Sequence, residues 1–154
     1  MSPIKSFNFA RTSFLTFIQE LDERIIDRQD PAFAQTIRWH IGNVLFVHEK
    51  LMFVSQKHSQ NIPKEYAELF SSDISVSDWN LAPPSLEQLI NDLIDQQQRI
   101  NQFDELFWKS EVKFKVPYGQ IQTHGDLLIV LSHRESEALG KIKMIKDYLD
   151  SKQG

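Results

Sequence analysis

Four long stretches of this chain repeat apolar residues every three or four positions, the spacing that lays a continuous apolar stripe along a helix. Only one short stretch alternates like a strand, so the pattern predicts an all-α chain. The first segment runs roughly from Phe7 to Ile26, with Ala10, Phe14, Phe17, Leu21 and Ile25 in line, and Asp30-Pro31 closes it. The second, from Pro31 or Thr36 to Val54, carries Ile37, Ile41, Val44, His48 and Leu51 along one line. Trp39, Phe46 and Phe53 fall on nearly the opposite line, so both faces need cover. The third opens at Ser85, an N-cap with Gln88 three residues on as in a capping box. Its core line is Leu86, Leu89 or Ile90, Leu93, Ile100, Phe103 and Leu106. The fourth, about Asp126 to Leu149, opens on Thr123 with Asp126 as its cap.

Between the second and third segments lie about thirty residues rich in Ser, Asp, Asn and Pro, with one short amphipathic piece around Lys64 to Phe70. In a helix bundle, so long a crossing connection lets the next helix run in the same direction as the last. Before the fourth segment, Val112-Lys113-Phe114-Lys115-Val116 alternates, and Pro117-Tyr118-Gly119-Gln120 supplies turn chemistry, which predicts a small hairpin. No repeat or boundary divides residues 1–154, so one helical domain is expected.

Composition removes several classes of function. The 154 residues contain no cysteine, which excludes disulfides, thiol nucleophiles and thiolate metal sites. Lys and Arg number 17 against 21 Asp and Glu, with no basic stripe, so no nucleic-acid partner is expected. The first residues lack the apolar core of a signal peptide, and no stretch is apolar for the length of a membrane span. Cytoplasmic residence, with no membrane partner, is the expectation. Phosphate-loop, dinucleotide, GxSxG and HExxH motifs are all absent.

What remains is five histidines and the helical carboxylates. His58 and His124 fall in or beside polar loops and read as solvated. On the fourth segment Leu127, Leu131, Ala138, Ile142, Ile145 and Leu149 define the buried face. Relative to Ala138, Arg134 lies at about −40° and Glu135 at about +60°, on the edges of the stripe, while His133 and Glu137 lie at about −140° and −100°, away from it. Charges at stripe edges need partners. Arg134 and Glu135 therefore either pair at the bundle margin or line a cleft between helices. His48, on the line of Ile41, Val44 and Leu51, reads as a hydrogen-bonded core or interface histidine.

The run Thr36-Ile37-Arg38-Trp39-His40-Ile41-Gly42-Asn43-Val44, then Val47-His48-Glu49-Lys50, resembles the second helix of the DinB-like superfamily. Pro63-Lys64-Glu65-Tyr66, Asp78-Trp79, Pro84-Ser85-Leu86-Glu87-Gln88-Leu89, and Leu127-Leu128 leading to Leu139-Gly140-Lys141-Ile142 resemble the same family in the same order. The resemblance implies a four-helix bundle with a long crossing connection between helices 2 and 3. Active members are metal-dependent hydrolases or thiol S-transferases, whose zinc or nickel sits on one histidine of the second helix and two, four residues apart, on the fourth. At those positions this chain has Asn43, Arg134 and Ala138, while the Glu that often follows the first fourth-helix histidine is present as Glu135. A register displaced by one puts His133 and Glu137 at the ligand positions, with Asn43 a poor third ligand for zinc or nickel.

The resemblance therefore implies a metal site that is lost or rebuilt. The leading expectation is a non-catalytic small-ligand-binding or interaction protein with no cofactor. Its cleft, near Asn43, Arg134, Glu135 and Ala138, would hold a small anionic ligand. The alternative is a zinc- or nickel-dependent hydrolase or thiol S-transferase using His133 and Glu137 with His48 or His40. The two-sided second segment further suggests a homodimer that hides its aromatic face.

Overall fold

The computed structural model describes residues 2–54 and 61–153, and within them the chain is all-helical. Six α-helices follow one another: α1 Pro3–Ile18, α2 Ile37–Met52, α3 Tyr66–Phe70, α4 Leu86–Asn101, α5 Glu105–Lys109 and α6 His124–Gln153. A single 3₁₀ turn, Val76–Asp78, lies in the long connection.

The caps show why the helices begin where they do. Ser2 accepts from the Lys5 amide with Pro3 in the first turn, so α1 starts four residues before the apolar period becomes visible at Phe7. Thr36 accepts from Trp39 N, and Ser85 accepts from Gln88 N. The Gln88 side chain donates to Asp92 rather than returning to its cap, so only half of the expected box forms. At α6, Thr123 Oγ1 accepts from Asp126 N while an Asp126 carboxylate oxygen accepts from Thr123 N, the reciprocal arrangement of a full box.

Three expected boundaries are corrected. The first helix stops at Ile18, because Asp22 captures both the backbone amide and the guanidinium of Arg24 and turns the chain. Leu21, Ile25 and Ile26 are still buried, from a run of turns rather than a helix. The third long helix ends at Asn101. Asp104 caps the separate α5, which buries Trp108 and leaves Leu106 78% exposed. The expected hairpin is an irregular loop closed by one antiparallel bridge, Glu111 to Thr123, with Val112 N donating to Gln122 O. Its apolar side chains, Val112, Phe114 and Val116, pack onto the core in place of a second strand.

Each of the four long helices packs on two others: α1 on α6 and α4, and α2 on α6 and α4. The cross-contacts give their directions. Arg38, early in α2, donates to Pro84 O just before α4, and Arg99, late in α4, pairs with Glu49, late in α2, so α2 and α4 run the same way. Asn8, early in α1, bonds Asn101 at the end of α4, so that pair is antiparallel.

Both faces of α2 are covered within the chain. The Ile37, Ile41 and Val44 line faces the core, while Trp39 and Phe53 are buried and Phe46 is half-buried. The face that suggested a homodimer is thus largely satisfied by the protein's own packing. α3 contributes to this cover at Gly42, where an added Cβ would stand 2.3 Å from the Phe70 ring. No described helix is long and apolar enough to cross a membrane.

Candidate functional site

The core between the long helices contains a charged cluster. Arg11 of α1 and Glu135 of α6 are both fully buried, and Arg11 Nε donates to Glu135 Oε2 at 2.7 Å. Arg11 also donates to Leu93 O at 2.9 Å, to Gln96 Oε1 at 3.0 Å, and to Glu135 Oε1 at 3.3 Å. Gln96 passes the connection on, donating through Nε2 to Leu45 O and Glu49 Oε1, and Glu49 takes two bonds from Arg99. All four long helices are tied by this one network. Burying two ions is costly, and only geometry this complete compensates for their lost hydration.

His48 borders the cluster. Its Nδ1 lies 2.8 Å from Val44 O, one turn back, and since a carbonyl only accepts, the ring proton is on Nδ1. The neutral ring then presents a bare Nε2 toward Glu135 Oε1, 3.4 Å away, and Nε2 has no hydrogen-bond partner. Burial, with the nearby Arg11 charge, holds His48 down to about 3, so the ring is uncharged at neutral pH and the contact is not an ion pair. Burial pushes Glu135 up from its ordinary value, against the opposing pull of Arg11.

Above His48 and Glu135 opens a cleft of about 170 Å³ between α2 and α6. Asn43, Arg134, Glu135 and Ala138 all border this cleft. Trp39, Val44, Val47 and Leu131 supply apolar walls, while Arg134, Glu137 and Lys141 are exposed and form a rim. The cleft is lined by two cations, Arg134 and Lys141, and two carboxylates, Glu135 and Glu137; Glu135 is paired with the buried Arg11 and Glu137 lies 3.6 Å from Lys141, so Arg134 is the lining charge with no ion-pair partner among the described residues. Burial, then the Lys141 charge, lowers His40 to about 4, so this wall imidazole is also neutral.

Arg134 does not pair with Glu135; its guanidinium lies over the Tyr118 ring at 4.6 Å, and the partner of the Glu135 carboxylate is Arg11. Asn43 donates its amide to Phe70 O at 2.7 Å, anchoring the end of α3 on α2. His124 is not solvated: it is buried, with Nδ1 2.8 Å from Ser110 Oγ and its ring stacked on Phe107. His58 lies outside the described residues.

These positions do not fit the metal that the family resemblance implies. An amide turned to a backbone carbonyl, a guanidinium and a methyl group offer no donor set for zinc or nickel. The displaced set fares no better. His48 and Glu137 border the cleft, whereas exposed His133 lines a separate groove beside Ser6 and Phe9. Among the described residues, no three His, Asp or Glu side chains converge on a cation site.

Sequence reasoning missed Arg11, Gln96 and the roles of Trp39 and Lys141. Arg11 interrupts the Phe7, Phe14 and Ile18 stripe, and Gln96 interrupts Leu89, Leu93 and Ile100, the same signal that exposed Glu135. No family model matches the chain, and no curated protein matches it at significance.

Proposed function

We propose that this protein is a non-catalytic binding protein that holds a small anionic ligand in the cleft between α2 and α6. The observation that carries the reading is the combination of an open cleft and, on its rim, the exposed Arg134 guanidinium, which pairs with no carboxylate among the described residues. A carboxylate or phosphate entering there meets a guanidinium able to bind it through two parallel bonds. The two imidazoles of the cleft, His40 and His48, are neutral at physiological pH, so the positive charge available to the anion is that of the rim.

The reading is joined to a second one, that the chain is a DinB-like four-helix bundle whose metal site has been replaced. Four long helices packed in a ring, with α2 and α4 parallel across the long connection, support it. So does Gly42, pressed against Phe70 at the point where the family-like run of α2 needs a residue without a side chain.

Calorimetric titration with acetate, propionate and inorganic phosphate tests the binding reading. At least one anion should bind, and Arg134→Ala should weaken it about tenfold, the size of a charge-assisted contact in a partly enclosed site. Affinity unchanged by Arg134→Ala, or no binding at millimolar anion, would refute it.

A further inference from the structure

The two ends of the cleft between α2 and α6 differ in charge. His48, late in α2, lies 3.4 Å from Glu135, whereas the Lys141 charge, farther along α6, acts on His40, early in α2. The two helices therefore run antiparallel, with Val47 and Arg134 at one end of the cleft and His40 and Lys141 at the other. At the Lys141 end the charges answer each other, since Lys141 Nζ is 3.6 Å from Glu137 Oε1. At the other end Arg134 pairs with no carboxylate among the described residues, and the Tyr118 ring covers one face of its guanidinium at 4.6 Å. A ring on that face leaves the N–H donors, which lie in the guanidinium plane, directed at whatever enters.

Between the two ends the accessible lining carries no charge. Val47 and Ala138 are half-buried and apolar, the half-buried His40 ring is neutral, and Asn43 has committed its amide to Phe70 O. One ligand charge is therefore matched, at Arg134. A second anionic group would reach toward the Glu137 carboxylate and be repelled, whereas an apolar group takes the exposed parts of Val47 and Ala138 out of water. The cleft volume of about 170 Å³ has room for about five groups the size of a water molecule. Resting on the anion-binding reading above, we infer that the cleft takes a short-chain monocarboxylate, its carboxylate on Arg134 and its apolar tail along Val47 and Ala138.

Calorimetric titration of the full chain with acetate, butyrate, valerate, succinate and butyramide makes the test. Valerate should bind about tenfold more tightly than acetate, because its additional methylenes leave water for a partly open wall. Succinate, equal to butyrate in carbon number but with a second carboxylate, should bind about fivefold more weakly than butyrate. Butyramide, which keeps the tail and lacks the charge, should bind about tenfold more weakly than butyrate. Ala138→Leu, checked for native helicity by circular dichroism, fills the tail's place and should cut the valerate-to-acetate ratio about threefold. Equal affinities for acetate and valerate, or succinate binding as tightly as butyrate, would overturn the monocarboxylate class and leave the anion reading standing. So would an unchanged ratio in a folded Ala138→Leu, which would place the tail elsewhere. Butyramide matching butyrate, or no acid binding at all, would overturn both readings. The wild-type comparisons decide the matter even if the variant does not fold.

Discussion

Replacing Arg11 with methionine isolates the buried ion pair on which the four long helices converge. Arg11 is fully buried and makes four hydrogen bonds, two to Glu135, one to Leu93 O and one to Gln96. Arg11→Met keeps most of the side-chain volume but strands a carboxylate in the core, a loss of about 3–5 kcal/mol. Against a total stability of about 5–15 kcal/mol for a domain, that is enough to lower the urea midpoint markedly. Glu135→Leu should cost a comparable amount by stranding the guanidinium. The double variant removes both charges, so it should be more stable than the two single losses predict, by about 2 kcal/mol or more of coupling. Acidification adds a second signature. In Arg11→Met, Glu135 escapes by taking a proton, so the deficit relative to the unaltered chain should shrink as pH falls from 7.5 to 5. Urea unfolding followed by tryptophan fluorescence reads all of this. A single-variant loss under about 1 kcal/mol, or strictly additive losses, would refute the view that the pair is buried and mutually dependent.

Further predictions follow from the imidazoles and the glycines. His40 and His48 are held at about 4 and about 3 when folded, below the ordinary value of 6.5, so the unfolded chain binds more protons as pH falls. Their contribution is complete above pH 6.5 and is lost toward pH 4, by about 2 kcal/mol for each ring at pH 5. Glu135, raised by burial, offsets part of that loss, and unfolding midpoints at pH 7.5 and 5 measure the net. Gly42→Ala forces a methyl into the Phe70 ring and should destabilise by about 1–3 kcal/mol despite the better helix propensity, and the loss in Gly42→Ala/Phe70→Ala should be smaller than the sum of the two single losses. Gly140→Ala meets nothing within 4 Å on an exposed helix face and should stabilise by about 0.5–1 kcal/mol, read as a rise in thermal midpoint.

The helical class was legible because apolar residues at three- and four-residue spacing can be buried together only on a helix, and the Thr36, Ser85 and Thr123 caps mark real starts. The ends were less legible. Asp22 stops α1 by a side-chain bond to Arg24 that leaves no trace in the apolar period, and Leu106 keeps the period although the chain has already turned at Asp104. The Val112–Val116 alternation was read as a strand, yet with one bridge the same residues fold as a loop packed on the core. In the cleft, Glu135 was visible as a charge on an apolar stripe. Its partner Arg11 was not, because it lies 124 residues away and no local spacing relates them. The unpartnered His48 Nε2 was beyond reach of sequence, since it depends on which ring nitrogen the Val44 carbonyl occupies.

The most direct test of the central claim is an NMR titration of the isotopically labelled chain with a small carboxylate, followed at the Arg134 side-chain Nε–H and the His48 ring nitrogens. The account predicts saturable shifts at Arg134 with one affinity, and none at His133, which faces a separate groove. Shifts that never saturate, or that spread evenly over surface lysines and arginines while Arg134 stays still, would contradict it.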